Sequence, residues 1–195
     1  MRKLVINEQL TLDGVMQAPG DPDEDRSGGF EHGGWFRSYF AEDLFRIIGE
    51  SLPETDAFLF GRRTYEIMAR YWPYAPEGEP FTHIMNNTPK YVASTTLAEP
   101  LEWKGSTLLQ GPVPDAVAAL KREPGKHIVV LGSGELARTL SEHDLVDEYG
   151  IMITPLLLGG GKRLFDHGGR KRPLRLVDSK VTSTGVIYAS YEPGR

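Results

Sequence analysis

A chain of 195 residues without a single cysteine has no disulfide, no thiol nucleophile and no cysteine-ligated zinc. Hydrophobic residues make up 39% and charged residues 25%, the balance of an ordinary globular domain, and the length suits one domain with a substantial core. The net charge of −5, with basic residues scattered except at Arg170-Lys171-Arg172, argues against a nucleic-acid partner, and no apolar run approaches a membrane span.

In chain order, Lys3–Thr11 reads as a strand closed by the turn residues Asp13-Gly14. Pro19–Gly34, rich in Gly, Asp and Glu, reads as a long mobile loop of the kind that serves as a lid. Trp35–Leu52 has helical spacing, with Phe36, Tyr39, Phe40, Leu44, Ile47 and Ile48 on one stripe. Asp56–Phe60 reads as a buried strand and Tyr65–Tyr71 as a short helix stopped by Trp72-Pro73. Lys90–Ser94 and Leu108–Gln110 follow as strands, Pro114–Arg122 as a helix, Ile128–Leu131 as a strand and Glu135–Ser141 as a helix. Glu148–Pro155 reads as a strand, and Leu174–Thr182 pairs with Gly185–Glu192 as a hairpin. Strands alternate with helices until about residue 155 and then stand alone, which predicts an α/β fold with a mostly parallel sheet and an antiparallel C-terminal edge.

Two of these junctions carry chemistry. Gly61-Arg62-Arg63-Thr64 joins a strand to a helix with a glycine, two positive charges and a hydroxyl, at a place where free N–H groups and the helix dipole favour phosphate. Taken alone it also fits a tight turn with solvated arginines. Leu131-Gly132-Ser133-Gly134-Glu135-Leu136 repeats the strand–glycine–helix pattern further along the chain. Gly132–Ala137 has the G-x-G-x-x-A form of a dinucleotide fingerprint, but too little chain follows it for a Rossmann half-sheet. Together the junctions point to one extended, doubly anionic ligand, a dinucleotide held outside a Rossmann domain. The five histidines show no metal-ligand spacing, so no metal site is expected. Gly159–Gly161 reads as a turn, since no helix signal follows it.

The order and spacing of Leu10-Thr11-Leu12-Asp13-Gly14-Val15, Phe60–Glu66, Tyr71-Trp72-Pro73, Val130–Gly134, Leu145–Glu148, Pro155–Gly161 and Leu164-Phe165 make the whole chain resemble the dihydrofolate reductase-like superfamily. Within it, the chain is similar to the stand-alone proteins that match the C-terminal reductase domain of the riboflavin-biosynthesis deaminase/reductase. The resemblance implies a dihydrofolate reductase-like three-layer fold, NADPH as cofactor, a small-molecule substrate and a homodimer, while the lack of a basic segment followed by an apolar stretch makes the cytoplasm the expected location. It assigns the pyrophosphate to the helix beginning near Thr64, the adenosine 2′-phosphate to Arg62 or Arg63 with Ser94 and Thr95, and the other side of the pyrophosphate to Leu131, Gly132, Ser133, Gly134, Glu135 and Leu136. It sets Gln9, Val15 and Met16 at the nicotinamide. Arginine suits a phosphate monoester because its planar fork donates two parallel hydrogen bonds, which favours NADPH over NADH.

The departures also inform. A chain without cysteine cannot hold the deaminase zinc, so deamination is excluded. Where the riboflavin reductases usually carry a lysine and small residues, this chain has Asn7-Glu8-Gln9-Leu10-Thr11. Asp13 and Asp43 each have two readings: Asp13 as a turn residue or a catalytic carboxylate beside the nicotinamide, and Asp43 as a solvated helix position or the carboxylate that, by the resemblance, it or Glu42 supplies to the substrate ring. The proton that accompanies hydride comes from one of these carboxylates or from water. Trp35, Phe36, Tyr65 and Trp72 are core aromatics or substrate-stacking ones. The implied activity is hydride transfer from NADPH to a C=N or C=O carbon of a heterocyclic or ribosylamino-pyrimidine-like substrate. A dihydrofolate or dihydropterin reductase, and a catalytically silent NADP-binding sensor on the same fold, are the alternatives.

Overall fold

The computed structural model describes residues 1–165 and 170–194. Eight strands, β1 (Leu4–Thr11), β2 (Thr55–Gly61), β3 (Lys90–Ala93), β4 (Ser106–Leu108), β5 (His127–Leu131), β6 (Glu148–Thr154), β7 (Leu174–Val181) and β8 (Ile187–Pro193), form one sheet in the order β4-β3-β2-β5-β1-β6-β8-β7. The strands from β4 to β6 in that order are parallel, and β6–β8–β7 are antiparallel. Five α-helices are described: α1 (Glu42–Ser51), α2 (Arg62–Tyr71), α3 (Thr82–Asn87), α4 (Val113–Arg122) and α5 (Gly134–Glu142).

Continuous apolar runs mark the central strands because both faces are covered. On one face, Leu4, Ile6, Leu59, Ile128 and Val130 pack against Val117 and Leu120 of α4 and Leu136, Ala137 and Leu140 of α5. On the other, Val5, Phe58, Phe60 and Val129 pack with Tyr65 of α2, Met85 of α3 and Trp103, and Phe60 stacks on Trp103 with centroids 6.0 Å apart. A third cluster joins Val15, Phe30, Trp35 and Phe36 to Leu44 of α1 and Met152 of β6. The three-layer α/β architecture expected from the sequence is the one observed.

Several boundaries differ from the sequence reading. Only Glu42–Ser51 of the stretch Trp35–Leu52 is α-helical. The preceding residues form turns and a single 3-10 turn at Arg37–Tyr39, because Trp35 and Phe36 are buried as anchors of the loop rather than as a helix stripe. Helix α2 opens at Arg62, three residues before Tyr65, so Arg62, Arg63 and Thr64 form its first turn with Gly61 as an uncapped N-cap. The strand placed at Leu108–Gln110 lies at Ser106–Leu108. Helix α3 was not anticipated, since six residues with two inward side chains, Thr82 and Met85, display no period.

The segment Pro19–Gly34 is tied down at both ends. Gly34 N–H donates to Ala18 O at 2.8 Å, Trp35 Nε1 donates to Gln17 O at 2.8 Å, and Gln17 Nε2 donates to Asp25 O and Ser27 O. Gly33 leaves no room for a side chain, as a Cβ there would come within 2.5 Å of Pro22 O.

Candidate functional site

β1 pairs with β5 only from Leu4 to Asn7, yet it continues beside β6 as far as Thr11. The chain leaves β1 toward β2 on one side and leaves β5 toward β6 on the other, so the sheet divides at the β5/β1 boundary beyond the carboxyl ends of the strands. In open α/β sheets that is where ligands bind. A cavity of about 760 Å³ occupies this crevice.

The two glycine junctions meet in its wall. Ser133 Oγ accepts a hydrogen bond from Gly61 N–H at 2.9 Å, so the loop after β5 is fastened to the start of α2. Gly132 and Ser133 both adopt left-handed backbone, with φ of 58° and 66°, which turns the chain sharply into α5. A Cβ on Gly132 would stand 3.2 Å from Thr64 Cγ2, and one on Gly134 would stand 2.5 Å from Met16 Sδ. Arg62 is held by Glu66 at 3.2 Å, whereas Arg63 has no ion-pair partner among the described residues. Ser94 Oγ accepts from Thr96 and Leu97 N–H and shapes the turn after β3.

Of the sequence-assigned cofactor residues, Gln9, Met16, Gly61, Arg62, Arg63, Thr64, Ser94, Thr95, Leu131, Gly132, Ser133, Gly134, Glu135 and Leu136 all line this one cavity. Val15 does not. It is fully buried in the third core cluster, because the turn at Asp13-Gly14 directs it inward.

The proposed catalytic carboxylates are not brought to the crevice. Asp13 accepts from Thr11 Oγ1 at 2.5 Å, from Gly159 N–H at 2.8 Å and from Leu158 N–H, bonds that hold its carboxyl below the usual range, and Arg163 stands 3.6 Å away. It fastens the β1 turn to the loop containing Gly159–Gly161. Asp43 accepts from Ser183 N–H at 2.5 Å and from Leu44 N–H, joining α1 to the β7–β8 turn. The four aromatics are also outside the cavity lining. Trp35 and Phe36 are core, Tyr65 OH accepts from Trp103 N–H, and Trp72 Nε1 points to Met68 Sδ. Apolar surface of that size is worth more in the core than in a polar crevice.

Sequence reasoning passed over Glu8. It lines the cavity, is only 4% exposed, and its Oε1 has no hydrogen-bond partner among the described residues. Burial pushes its carboxyl up to about 8. The signal was present: Leu4, Ile6 and Leu10 share the inward face of β1, and Glu8 is the acidic member of that alternation. Elsewhere in the cavity lining, Lys162 Nζ pairs with Asp25 at 2.6 Å, Lys162 N–H donates to Gln17 Oε1, and Arg138 donates to Arg163 O.

Fold and crevice together define a dihydrofolate reductase-like α/β protein with a nucleotide-sized site at the sheet's switch point. The chain belongs to the RibD C-terminal domain family, whose model matches residues 2–188. It is 27% identical over 195 residues to the Bacillus subtilis (strain 168) protein called Uncharacterized protein YyaP, covering 97% of this chain and 94% of that one. Among solved structures, a Shewanella sp. PV-4 protein named for riboflavin biosynthesis superposes with a TM-score of 0.76 at 20% identity, covering 99% of each chain. Dihydrofolate reductase from Enterococcus faecalis, complexed with NADP(H), superposes with a TM-score of 0.64 at 13% identity, covering 99% of this chain and 97% of that one.

Proposed function

We infer that the protein is an NADPH-dependent reductase that acts on a heterocyclic or ribosylamino-pyrimidine-like small molecule. The observation that carries this reading is the single cavity lined by both strand–glycine–helix junctions. Its residues fit a dinucleotide phosphate. The first-turn N–H groups of α2 and the turn into α5 offer donors and positive dipole ends to a pyrophosphate, and Arg63, without an ion-pair partner among the described residues, offers its guanidinium to a monoester. NADPH, when bound, supplies the hydride, and the chain's own residues supply binding, orientation and exclusion of water.

Gly61, Gly132 and Gly134 let Ser133, Thr64 and Met16 pack against the backbone, which draws the two junctions together around the crevice. Gln9 on β1 and Met16 just after it also line the crevice, with Met16 against Gly134. The polar rim formed by Gln17, Asp25 and Lys162 faces the side open to a substrate with hydrogen-bonding edges. Membership of a family defined by the riboflavin reductase domain, and the pyrimidine reductase-like name of a Corynebacterium diphtheriae protein with a TM-score of 0.67 at 14% identity, support the substrate class.

The test is calorimetry of NADPH and NADH with wild type and with the double variant Arg62→Ala/Arg63→Ala. Tighter NADPH binding in wild type, with the preference reduced at least tenfold in the variant, is the expected result. Equal affinities for the two cofactors in wild type would refute it.

A further inference from the structure

The strand order lays the candidate ligand contacts along the carboxyl edge of the sheet in sequence: Ser94 and Thr95 after β3, Gly61–Thr64 after β2, Gly132–Gly134 after β5, and Glu8 on β1. Three strand spacings amount to about 14 Å. A dinucleotide with its 2′-phosphate end at β3 and its pyrophosphate between the β2 and β5 junctions therefore brings its nicotinamide end to β1. Among the groups there, Glu8 is a carboxyl that the folded chain buries and leaves with an unpartnered oxygen. Burying such a group without a partner is costly, and a protein that keeps one in a ligand crevice keeps it for the ligand.

We propose that Glu8 is the acid of the site, neutral beside the reduced cofactor and a carboxylate beside the oxidised one. The proposal rests on the dinucleotide reading above. In the reduction, hydride passes from the dihydronicotinamide to the carbon of a C=N or C=O bond, and the Glu8 proton passes to its nitrogen or oxygen. The substrate bond gains two electrons and the cofactor loses two. A cationic nicotinamide ring and a carboxylate then remain side by side in the crevice, each offsetting the other's burial. Water at the cavity mouth returns the proton when the oxidised cofactor leaves. The substrate must accordingly present a hydrogen-bond acceptor, not a second anion, to β1.

Burial alone accounts for the raised carboxyl, with no charged neighbour contributing. The ionisable groups sharing the cavity are Glu135 and Arg138 on α5, Glu24 and Asp25 on the loop after β1, and Lys162 and Arg163 after β6, with Arg62 and Arg63 at the nucleotide end. Asp25 is paired with Lys162, and Glu24 accepts from Gly20 and Asp21 N–H, so both are committed to the loop.

The experiment is calorimetry of NADP+ and NADPH in two buffers of different ionisation enthalpy, which counts the protons exchanged on binding. Both cofactors carry the same 2′-phosphate, so their difference isolates the nicotinamide end. At pH 7 wild type should release about one proton more with NADP+ than with NADPH, and its relative affinity for NADP+ should rise about tenfold per pH unit up to pH 8. Glu8→Gln should abolish both differences; if that variant does not fold, Glu8→Asp should shift the pH range of proton release. Equal proton counts in wild type, with both cofactors bound, overturn the role of Glu8 and leave the cofactor reading standing. A difference that persists in Glu8→Gln assigns the proton to another group and also overturns it. Failure of wild type to bind either dinucleotide removes the cofactor reading and this inference with it.

Discussion

Glu8 has an ordinary value of 4.5 in the unfolded chain and about 8 when folded. Between those values the folded protein holds a proton that the unfolded chain has lost. Its contribution to stability is therefore fully present below pH 4.5 and declines as the pH rises through 8. The unliganded protein should show a thermal midpoint that falls across this window, and Glu8→Gln should flatten the fall and melt higher than wild type above pH 8. A wild-type profile without that decline would mean the carboxyl is solvated. Lys90 illustrates the same physics with partners present. It is fully buried, and Nζ donates to the carbonyls of Asn86, Thr88 and Lys104 while standing 4.5 Å above the Trp103 ring. Lys90→Met should cost about 2–4 kcal/mol in chemical denaturation, because it strands three carbonyls at once.

At the scale of elements, the junction from β5 into α5 does two jobs that its glycines divide between them. Gly132, at φ of 58°, is required by the turn itself, so Gly132→Ala should lower the stability of the unliganded protein by about 1 kcal/mol, or roughly 2–4 °C in melting temperature. Gly134 has no such backbone requirement. An alanine there meets the flexible Met16 thioether and should change melting little while weakening NADPH binding. The left-handed backbone at Gly132 therefore makes that glycine a requirement of the turn as well as of the junction. Comparing apo melting and NADPH affinity for the two variants checks the division. If Gly134→Ala binds NADPH as wild type does, the α5 end of the junction does not touch cofactor.

At the scale of the molecule, β7 forms the outer edge of the sheet and is exposed along most of its length. Leu174, Leu176, Val177 and Val181 lie open on it, and Val181 pairs with Ile187 of β8, which is also exposed. Edges with this much apolar surface are usually covered, charged or bent away. We therefore expect the edge to be buried in a homodimer, as the sequence resemblance implied. Analytical ultracentrifugation should find a dimer in wild type, and Val181→Lys/Ile187→Lys should shift it toward monomer without loss of secondary structure. A wild type that stays monomeric at high micromolar concentration would refute the dimer.

The sequence by itself determined the mostly parallel sheet and the two glycine junctions that line the crevice. Apolar runs at Asp56–Phe60 and Ile128–Leu131, each followed by glycine and a helical segment, mark buried parallel strands with strand–glycine–helix junctions, because both signals are local in the chain. Tertiary structure decided the remainder. Whether Asp13 and Asp43 face a ligand depends on the loop at Gly159 and the turn at Ser183, more than a hundred residues away in the chain, whose backbone N–H groups claim them. Whether Trp35, Phe36, Tyr65 and Trp72 line a pocket depends on which layer covers them, and spacing alone does not carry that information. Glu8 was hidden for the converse reason: an acidic residue in a strand reads as solvent-facing until the sheet is assembled, where it pairs with β6 and is buried.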